Sequence, residues 1–565
     1  MTNEAIVETL ELTAKLLELH GENDFKIRGY QTAVFNLDKS TVELASLSLA
    51  DLSLQPGVGK SIASKIDEIR NTGTSKELSD LLSKTPEGIL EMFRIKGIGP
   101  KKIRVIWQEL GITDTRELML ACENGEIAKL KGFGEKTQET IRTNLLFLQS
   151  NSSKLRMDKA QALAEVLLET LEKRFRVEIT GDVRRKMEVV DEIQLVVGAD
   201  DPLEVQRYLN EQAFLRQDEK ASTPFTWRGR FSDKNIPVEV TVARPALFAN
   251  QVLIRSASEA HLNHVVENTT LLRVASKEPF DSEEAIYAKL GMPYLSPELR
   301  EGSDEFDPES PRRRPDLITW EALRGTVHNH STWSDGQHTL EQMARAAAAL
   351  GLEYLGIADH SKTAFYARGL SEEQILDQHR EIDQLNRKFV DEGLNFRIFR
   401  GIESDILSDG ALDYPDDVLA SFEFIVASVH SNLTMSEEKA MQRLIRAVEN
   451  PYTTILGHPT GRLLLSRPGY PVNHTYLIDA CAANGVVLEL NASPYRLDVD
   501  WRWIPYALEK GVMISINPDA HEMDGYLDMH YGVAVARKGG LTAPMTFNAL
   551  GADEMNAYLR KRRGL

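Results

Sequence analysis

The feature that most constrains the fold is a series of short apolar runs, each followed closely by histidine or carboxylate side chains. Six of the thirteen histidines lie just after such runs. Segments with helical periodicity separate the runs, and this alternation predicts a parallel sheet. The polar residues that follow the runs are His328, His330, Asp335, Asp359, His360, Glu403, His430, His458, Asp519 and His521.

A closed parallel sheet would bring these dispersed residues together. The carboxyl ends of the strands of a parallel barrel meet on one rim. His328 and His330 are two positions apart, so in an extended chain they point to the same side. Imidazole and carboxylate groups together suit Zn, Mn or Fe. The pattern therefore predicts a metal centre rather than unrelated surface histidines.

The segment from Arg324 to the C terminus resembles the PHP (polymerase and histidinol phosphatase) domain, a distorted (β/α)7 barrel with a three-metal phosphoesterase site. The resemblance implies Glu403 as the catalytic, bridging carboxylate, and Mn²⁺ or Zn²⁺ as the ions, up to three. Such cations grip a phosphate ester and lower the pKa of the attacking water. Arg462 is the candidate for holding the substrate phosphate, because a guanidinium matches phosphate geometry. The implied ligands are His328, His330, Asp335, His360, Glu403, His430, His458, Asp519 and His521.

Length and composition bound the rest of the chain. With 565 residues the protein is expected to contain several domains. Its net charge of −19 argues against a wholly basic nucleic-acid surface, so DNA contacts must come from local patches. Cys122 and Cys481 are expected to be core thiols in a reducing compartment. The start has no signal-like character and no run is long enough to span a membrane, so we expect a cytoplasmic protein, and a monomer.

The first 150 residues have helical periodicity and contain three Gly-hydrophobic-Gly turns between helices. The glycines allow tight turns, and the N–H groups of the next helix can bind phosphate. Three such turns, each followed by lysines, are similar to the helix-hairpin-helix motif of sequence-independent DNA binding. The residues expected to contact DNA are Gly57, Gly59, Lys60, Gly97, Gly99, Lys101, Lys102, Gly132, Gly134 and Lys136.

Residues 1–78 also resemble the lyase domain of family X DNA polymerases, and residues 79–150 its fingers. Residues 23–33 match the first helix of that lyase domain. Lys65 lies at the position of the family's Schiff-base lysine, which implies attack on the sugar aldehyde of an abasic site. Ser61 replaces a neighbouring lysine of the family.

Residues 151–250 resemble the nucleotidyltransferase palm of the same family, and residues 251–300 its thumb. A helix is predicted over residues 155–174. Gly181, Arg184, Arg185 and Glu188 keep the family register, but the metal-binding and triphosphate positions are altered. Gln194 is neutral and poorly suited to a hard cation such as Mg²⁺. We therefore expect a folded palm with little or no polymerase activity. The altered positions are Asp182, Glu192, Gln194 and Glu239.

Residues 301–323 are rich in proline and charge and are predicted to be a linker before the PHP domain of residues 324–565. The expected fold class is thus an all-α helix-hairpin-helix region, an α+β palm and thumb, and a C-terminal barrel. The expected partner is DNA with gapped, primer–template or single-stranded 3′ ends.

The resemblances span nearly the whole chain and imply a bacterial-type family X polymerase homologue. They imply a 3′–5′ exonuclease in the PHP domain, with 3′-phosphatase or abasic-site processing as related activities. Three alternatives stay open: an active gap-filling polymerase, a phosphatase of the histidinol-phosphate type, and a DNA-binding scaffold without catalysis. Gln194 and Asp182 argue against the first, the hairpins against the second, and the complete ligand set against the third.

Overall fold

The computed structural model describes residues 2–38, 40, 42–95, 97–151, 153–232, 235–313 and 316–564. The chain divides into two compact units, Met1–Ser152 and Ser153–Leu565. Each unit has its own apolar core. Among the described residues, no helix is both long and apolar enough to cross a bilayer.

The first unit is helical throughout its regular structure, which agrees with the predicted helix-hairpin-helix region. Side-chain caps begin several of these helices: Thr2 accepts from the N–H of Ala5, and Asp114 accepts from the first turn of the helix that follows it. The helices are α1 Asn3–His20, α2 Asp24–Leu37, α3 Leu49–Leu52, α4 Lys60–Thr72, α5 Lys76–Leu82, α6 Glu87–Met92, α7 Pro100–Leu110, α8 Thr115–Glu123 and α9 Glu135–Asn151.

The second unit begins with alternating short strands and helices. They are β1 Leu155–Arg156, α10 Met157–Leu171, β2 Arg176–Thr180, α11 Gly181–Arg184, β3 Val189–Val190, β4 Ile193–Gly198, α12 Pro202–Asn210, β5 Leu215–Gln217, β6 Thr226–Phe231 and β7 Pro237–Ala243. Five of these strands form a mixed sheet, here called the central sheet, in the order β2-β4-β7-β6-β5. Among its described residues, β4 and β7 are parallel neighbours and the other pairs are antiparallel.

The helix predicted over residues 155–174 is wrong at both ends. Leu155 and Arg156 form β1, which pairs antiparallel with β3, and the helix runs only from Met157 to Leu171. Pairing with a distant strand overrides the local helical pattern here.

A small, mainly helical region follows the central sheet. It packs around Leu253, Leu271, Ile286 and Tyr287, all of which are fully buried. Its elements are α13 Phe248–Arg255, α14 Glu259–Asn263, β8 Val265–Val266, β9 Thr269–Thr270, α15 Leu271–Ala275 and α16 Glu283–Lys289.

The segment predicted to be a linker differs from that expectation. Glu305 is fully buried and Arg312 is only 4% exposed. The N–H of Ile318 donates to the carbonyl of Leu541 at 2.8 Å. Some charged groups of this segment, including those of Glu305 and Arg312, are therefore packed against protein, while others such as Glu309 remain exposed. The third arginine of the run, Arg314, lies outside the described residues.

The C-terminal part is a barrel of parallel strands, as the alternating pattern predicts. Within the described residues the sheet has seven strands in sequence order. A parallel bridge between Asn329 and Ala520 brings its two edges together and nearly closes it. The strands are β10 Gly325–Thr326, β11 Tyr354–Ile357, β12 Arg397–Asp405, β13 Phe424–Ser428, β14 Ile455–Leu456, β15 Val487–Asn491 and β16 Ile514–Asn517.

Helices surround the barrel, and its interior is filled by side chains such as Tyr354, Phe399 and Phe424. These residues alternate along the strands with outward-facing ones such as Leu355 and Ile398 in the outer core. The helices are α17 Leu340–Ala349, α18 Glu372–Asp391, α19 Asp416–Leu419, α20 Glu437–Val448, α21 His474–Asn484, α22 Ile504–Glu509, α23 Met529–Lys538 and α24 Ala552–Arg562.

Candidate metal centre

The barrel brings all nine predicted metal ligands to the carboxyl-terminal rim of its strands. Their ligand atoms form overlapping groups in which the atoms lie within 4.8 Å of one another. The four groups are His330, Asp335, His360 and His521; His328, His330 and Asp519; His328, Glu403 and His458; and His360, Glu403 and His430.

Glu403, in β12, lies between several histidines and is fully buried. Its Oε1 atom is 3.2 Å from Nε2 of His328 and 3.1 Å from Nε2 of both His430 and His458. Its Oε2 atom is 2.9 Å from Nδ1 of His360. Each carboxylate oxygen thus faces different imidazoles, which is the arrangement that a carboxylate bridging two cations requires.

Asp335 and Asp519 complete the other side of the centre. Oδ1 of Asp335 lies 3.3 Å from Nε2 of His521 and 3.6 Å from Nε2 of His360. Oδ1 of Asp519 lies 3.0 Å from Nε2 of His330. The four groups of ligand atoms therefore have residues in common, so that one side chain could bind the ions of two neighbouring groups.

The donor set fits metal ions. Within the described residues, the buried atoms Nε2 of His328, Nδ1 of His360 and Oε2 of Glu403 make no hydrogen bond of ordinary geometry, although the last two lie only 2.9 Å apart. Buried polar atoms rarely stay unpaired. Nitrogen and carboxylate donors in this combination suit Mn²⁺ or Zn²⁺ equally well.

The electrostatics of the centre shift its ligands in both directions. Burial lowers the pKa of His328, His430 and His521, but the neighbouring carboxylates outweigh it and raise the pKa, so these imidazoles must release a proton when they bind an ion. Glu403 and His330 are shifted towards their ligating forms. Burial raises the pKa of the Glu403 carboxyl, but the positive fields of His430 and His328 outweigh it and hold that pKa well below its usual range. Burial, followed by the neighbouring His521, lowers the pKa of His330 to about 3. Glu403 is therefore anionic and His330 neutral at neutral pH, which are the ligating forms.

Two carboxylates behind the ligands were not found from the sequence. Nδ1 of His328 is 2.6 Å from Oε1 of Glu489, and Nδ1 of His430 is 2.6 Å from Oδ1 of Asp405. Such contacts fix the tautomer and turn Nε2 towards the ligand site. Asp405 follows Glu403 by two positions in β12, so the strand period of two was the signal that could have revealed it.

Asp359 lies on the same rim, but its carboxylate binds the loop that follows β10 instead of belonging to the predicted ligand set. Its Oδ1 accepts from the N–H of Ser331 at 2.8 Å, and its Oδ2 accepts from Nε2 of Gln378 at 2.7 Å. The buried Asp359 therefore holds the backbone that carries His330.

The structure gives the predicted phosphate-binding arginine other partners. The guanidinium of Arg462 donates to the carbonyl of Arg496 at 2.9 Å and to Oδ2 of Asp500 at 2.7 Å, and also to the carbonyl of Leu497. Arg496 lies closer to the centre, with Nε 3.8 Å from Oδ2 of Asp519. In the part of the chain that the structure describes, the Arg496 guanidinium makes no hydrogen bond.

Three of the four altered palm-like residues, Glu192, Gln194 and Glu239, lie together beside β4 and β7, where Gln194 and Glu239 are register neighbours. Nε2 of Gln194 donates to Glu192 at 3.0 Å, and the carboxylate of Asp182 is paired with Arg185. Burial and then the charge of Glu239 raise the pKa of Glu192.

Two arginines engage both oxygens of Glu239, which is only 6% exposed at its side chain. Arg228 donates through Nε to Oε2 at 2.8 Å, and Arg255 donates to Oε1 at 2.9 Å. Guanidinium groups therefore lie where a carboxylate-bound cation would have to sit. Sequence reasoning missed both arginines, because they come from β6 and α13.

In the helical unit, the predicted hairpin turns have the expected backbone. Gly57, Gly97 and Gly132 have φ of +73°, +89° and +86°, a region that favours glycine. Val58 and Ile98, each between two glycines, are 4% and 5% exposed and anchor the turns in the core.

The second glycine of each turn leads into a helix. Gly59 and Gly99 are the N-cap residues of α4 and α7, and neither helix has a side-chain cap; Gly134 directly precedes α9. The first N–H groups of α4 and α7 are thus free of a capping side chain and can receive a phosphate.

Most of the lysines that follow these turns face solvent. Lys60, Lys101 and Lys136 are exposed, and Lys102 is half-buried beside the ring of Phe133. Lys65, the predicted lyase residue, is half-buried on α4 and forms an ion pair with Glu68 at 3.0 Å.

Comparison with known proteins agrees with this architecture. Residues 1–75 match a family model described as a helix-hairpin-helix domain, and residues 89–144 match a SAM-like helix-hairpin-helix tandem. Residues 326–492 match the PHP domain, a range that contains seven of the nine predicted ligands.

Similar proteins cover either the barrel or the whole chain. A probable phosphatase of Thermoanaerobacter sp. (strain X514) is 25% identical over 248 residues, which are 42% of this chain and 94% of the relative. A probable phosphatase of Acetivibrio thermocellus is 28% identical over 34% of this chain and 78% of the relative. The DNA polymerase/3′-5′ exonuclease PolX of Bacillus subtilis (strain 168) is 32% identical over 99% of this chain and 100% of its own length. The chain therefore belongs to the PolX family, the family X DNA polymerases that carry a PHP domain.

Proposed function

We propose that this protein is a metal-dependent phosphoesterase that removes nucleotides from the 3′ ends of DNA. The observation that carries the proposal is the convergence of nine histidine and carboxylate ligands on one barrel rim. The Bacillus subtilis relative is named a DNA polymerase/3′-5′ exonuclease, and shorter relatives are named probable phosphatases. Both similarities support hydrolysis of a phosphate ester.

The residues of the rim would have three different roles in the reaction: binding the metal ions, orienting the imidazole ligands and binding the substrate phosphate. Bound Mn²⁺ or Zn²⁺ ions would neutralise the phosphate and lower the pKa of the attacking water. Glu403 would join neighbouring ions, while Glu489 and Asp405 hold the imidazoles of His328 and His430 in position. Arg496 pairs with Asp519 at 3.8 Å but makes no hydrogen bond among the described residues, so it is better placed than Arg462 to bind the phosphate of the substrate.

The helical unit supports DNA as the substrate. Hairpin turns with uncapped helix N-termini and exposed lysines suit contact with phosphates without reading the sequence. A small-molecule phosphatase has no use for such a unit. Abasic-lyase chemistry at Lys65, and hydrolysis of a 3′-phosphate, stay predictions.

We propose further that the palm-like sheet has little or no polymerase activity. Polymerisation of this type needs carboxylates that hold two cations. Here Gln194 is neutral, and both oxygens of Glu239 are engaged by Arg228 and Arg255. Mg²⁺ binding at this position would require breaking both ion pairs.

A gel assay with a 5′-labelled, gapped primer–template and Mn²⁺ tests both proposals. Wild-type protein is expected to shorten the primer, and the same shortening is expected when dNTPs are present. Glu403→Ala is expected to lower the rate by at least about a hundredfold, since removal of a bridging carboxylate disrupts metal binding. Glu449→Ala, which removes an exposed glutamate of the same barrel, is the matched control.

Each other result has a distinct meaning. Shortening by Glu403→Ala at the wild-type rate would assign the activity elsewhere. Primer extension by both proteins would show that the palm-like sheet is an active polymerase. No change in the primer under any condition would leave a small phosphate ester or a scaffold role in its place.

A further inference from the structure

The loop after β11 carries two large exposed aromatic side chains, and one of them, Tyr366, lies beside the metal centre. Phe365 is 83% exposed and Tyr366 is 60% exposed. The ring centroid of Tyr366 lies 6.3 Å from that of His360, one of the predicted ligands. We call Phe365 and Tyr366 the aromatic tip.

The aromatic tip is held in place by a well-anchored loop. Ala364 and Ala367, on either side of the tip, are fully buried. The N–H and the hydroxyl of Thr363 donate to Oδ2 of Asp413 at 2.7 Å and 3.0 Å. Because the base of the loop is fixed, exposure of the two rings is a consequence of the fold rather than of a loose segment.

The surroundings of Tyr366 connect it to the reacting groups. Burial, followed by the charges of Asp405 and Glu403, raises the pKa of its hydroxyl, so the ring stays uncharged. Arg496, which pairs with Asp519 at 3.8 Å, acts on the same hydroxyl in the opposite direction and lowers its pKa. The rim therefore combines metal ligands, the guanidinium of Arg496 beside Asp519, and an exposed aromatic ring.

We propose that the aromatic tip is a stacking platform for the terminal nucleobase of the DNA strand whose last phosphodiester is held at the metal centre. The inference rests on the proposed exonuclease function and adds to it the recognition of the base. Any base can stack on an aromatic ring, so this contact is independent of sequence. A base that stacks on the tip has left its own helix, so single-stranded or frayed 3′ ends are the preferred substrates.

Kinetics of the full-length protein on a 5′-labelled single-stranded oligonucleotide with Mn²⁺ test the platform. The double variant Phe365→Ala/Tyr366→Ala is expected to raise KM roughly 10- to 100-fold while kcat changes by less than about threefold, because stacking contributes to binding. Tyr366→Phe retains the ring and is expected to behave as wild type. Tyr476→Ala removes a tyrosine that is 55% exposed on α21 and is the matched control.

A second measurement needs no variant. Wild-type protein is compared on two oligonucleotides that differ only in the 3′-terminal residue, which carries a base in one and a base-free tetrahydrofuran in the other. The base-free end is expected to raise KM by the same factor as the double variant does, and the double variant is expected not to distinguish the two ends.

The outcomes separate the two proposals. If wild-type protein shortens both oligonucleotides with equal KM, or if the folded double variant keeps the wild-type KM, the platform is refuted and the exonuclease function stands. If wild-type protein shortens neither oligonucleotide, the proposed function fails and the platform fails with it.

Discussion

A fully buried carboxylate behind His328 determines how that imidazole faces the metal centre. Glu489 lies 2.6 Å from Nδ1 of His328 and also accepts from Nδ2 of Asn517 at 2.9 Å. With Nδ1 so engaged, the opposite nitrogen is directed at Glu403, 3.2 Å away. A charged partner at Nδ1 also makes the imidazole a stronger ligand.

Glu489→Gln is therefore expected to lower the affinity for Mn²⁺ by roughly 10- to 100-fold, with the nine ligands intact. Calorimetric titration of metal-free protein measures the change directly. Glu449→Gln, at an exposed position after α20, controls for the loss of one negative charge. An unchanged affinity in Glu489→Gln would mean that the carboxylate does not support His328.

At the scale of elements, the segment after residue 300 is fastened to the helical region that follows the central sheet. Burial lowers the pKa of His261, so its neutral ring donates from Nδ1 to Glu305 at 2.8 Å, while Nε2 accepts from the hydroxyl of Tyr287 at 2.8 Å. Burial raises the pKa of Glu305, but the hydrogen bonds from His261 and from the N–H of Gly302 outweigh it and lower that pKa to about 2.

A depressed carboxyl pKa stabilises the folded state above the unfolded pKa, and the effect disappears as pH falls towards the folded pKa. For Glu305 the window runs from about 4.5 down to about 2. Glu305→Gln is expected to lower the free energy of unfolding by about 3 kcal/mol at pH 7 and by progressively less within that window. Urea unfolding of metal-free protein across this range measures it.

The control for this prediction is Glu309→Gln, an exposed glutamate of the same segment. It is expected to leave the free energy of unfolding within about 0.5 kcal/mol of wild type. Equal effects of the two substitutions at pH 7 would contradict the assignment of the stability to the buried carboxylate.

At the scale of the whole second unit, the connection between α11 and β3, which belongs to the palm-like part, is joined to the barrel by polar contacts. Glu188 accepts from Nε1 of Trp501 at 3.1 Å and from Arg502 at 2.7 Å. The fully buried Lys538 of α23 donates to the carbonyl of Arg185 at 3.1 Å and pairs with Glu301. These contacts explain why Ser153–Leu565 forms one compact unit.

Lys538→Met is expected to destabilise this unit by about 1–3 kcal/mol, because the carbonyl oxygens of Arg185 and Glu298 lose their buried donor. Glu301 keeps Arg185 as a partner. Differential scanning calorimetry of the full chain is expected to show one transition for the unit, shifted to lower temperature. Lys439→Met, at an exposed lysine, is expected to leave that transition in place. A barrel transition that shifts separately from that of the central sheet would contradict the coupling.

The sequence by itself determined the barrel, the hairpins and the identity of the clustered rim residues. Parallel strands repeat a short local pattern, and only a few residue types ligate metals, so His328, Glu403 and His521 could be recognised one run at a time. The glycine turns are equally local, since glycine has no Cβ and Gly57 can therefore adopt a positive φ whatever its tertiary surroundings.

Only the tertiary structure decided which partners surround these residues. Glu489 approaches His328, Arg255 approaches Glu239, and Arg462 turns to Asp500 because the fold brings distant segments together. Leu155 joins a strand, and Glu305 is buried, for the same reason. Contacts between residues far apart in the chain produce no periodic pattern in the sequence. Their formation depends on how the segments pack in three dimensions, so no single segment could predict them.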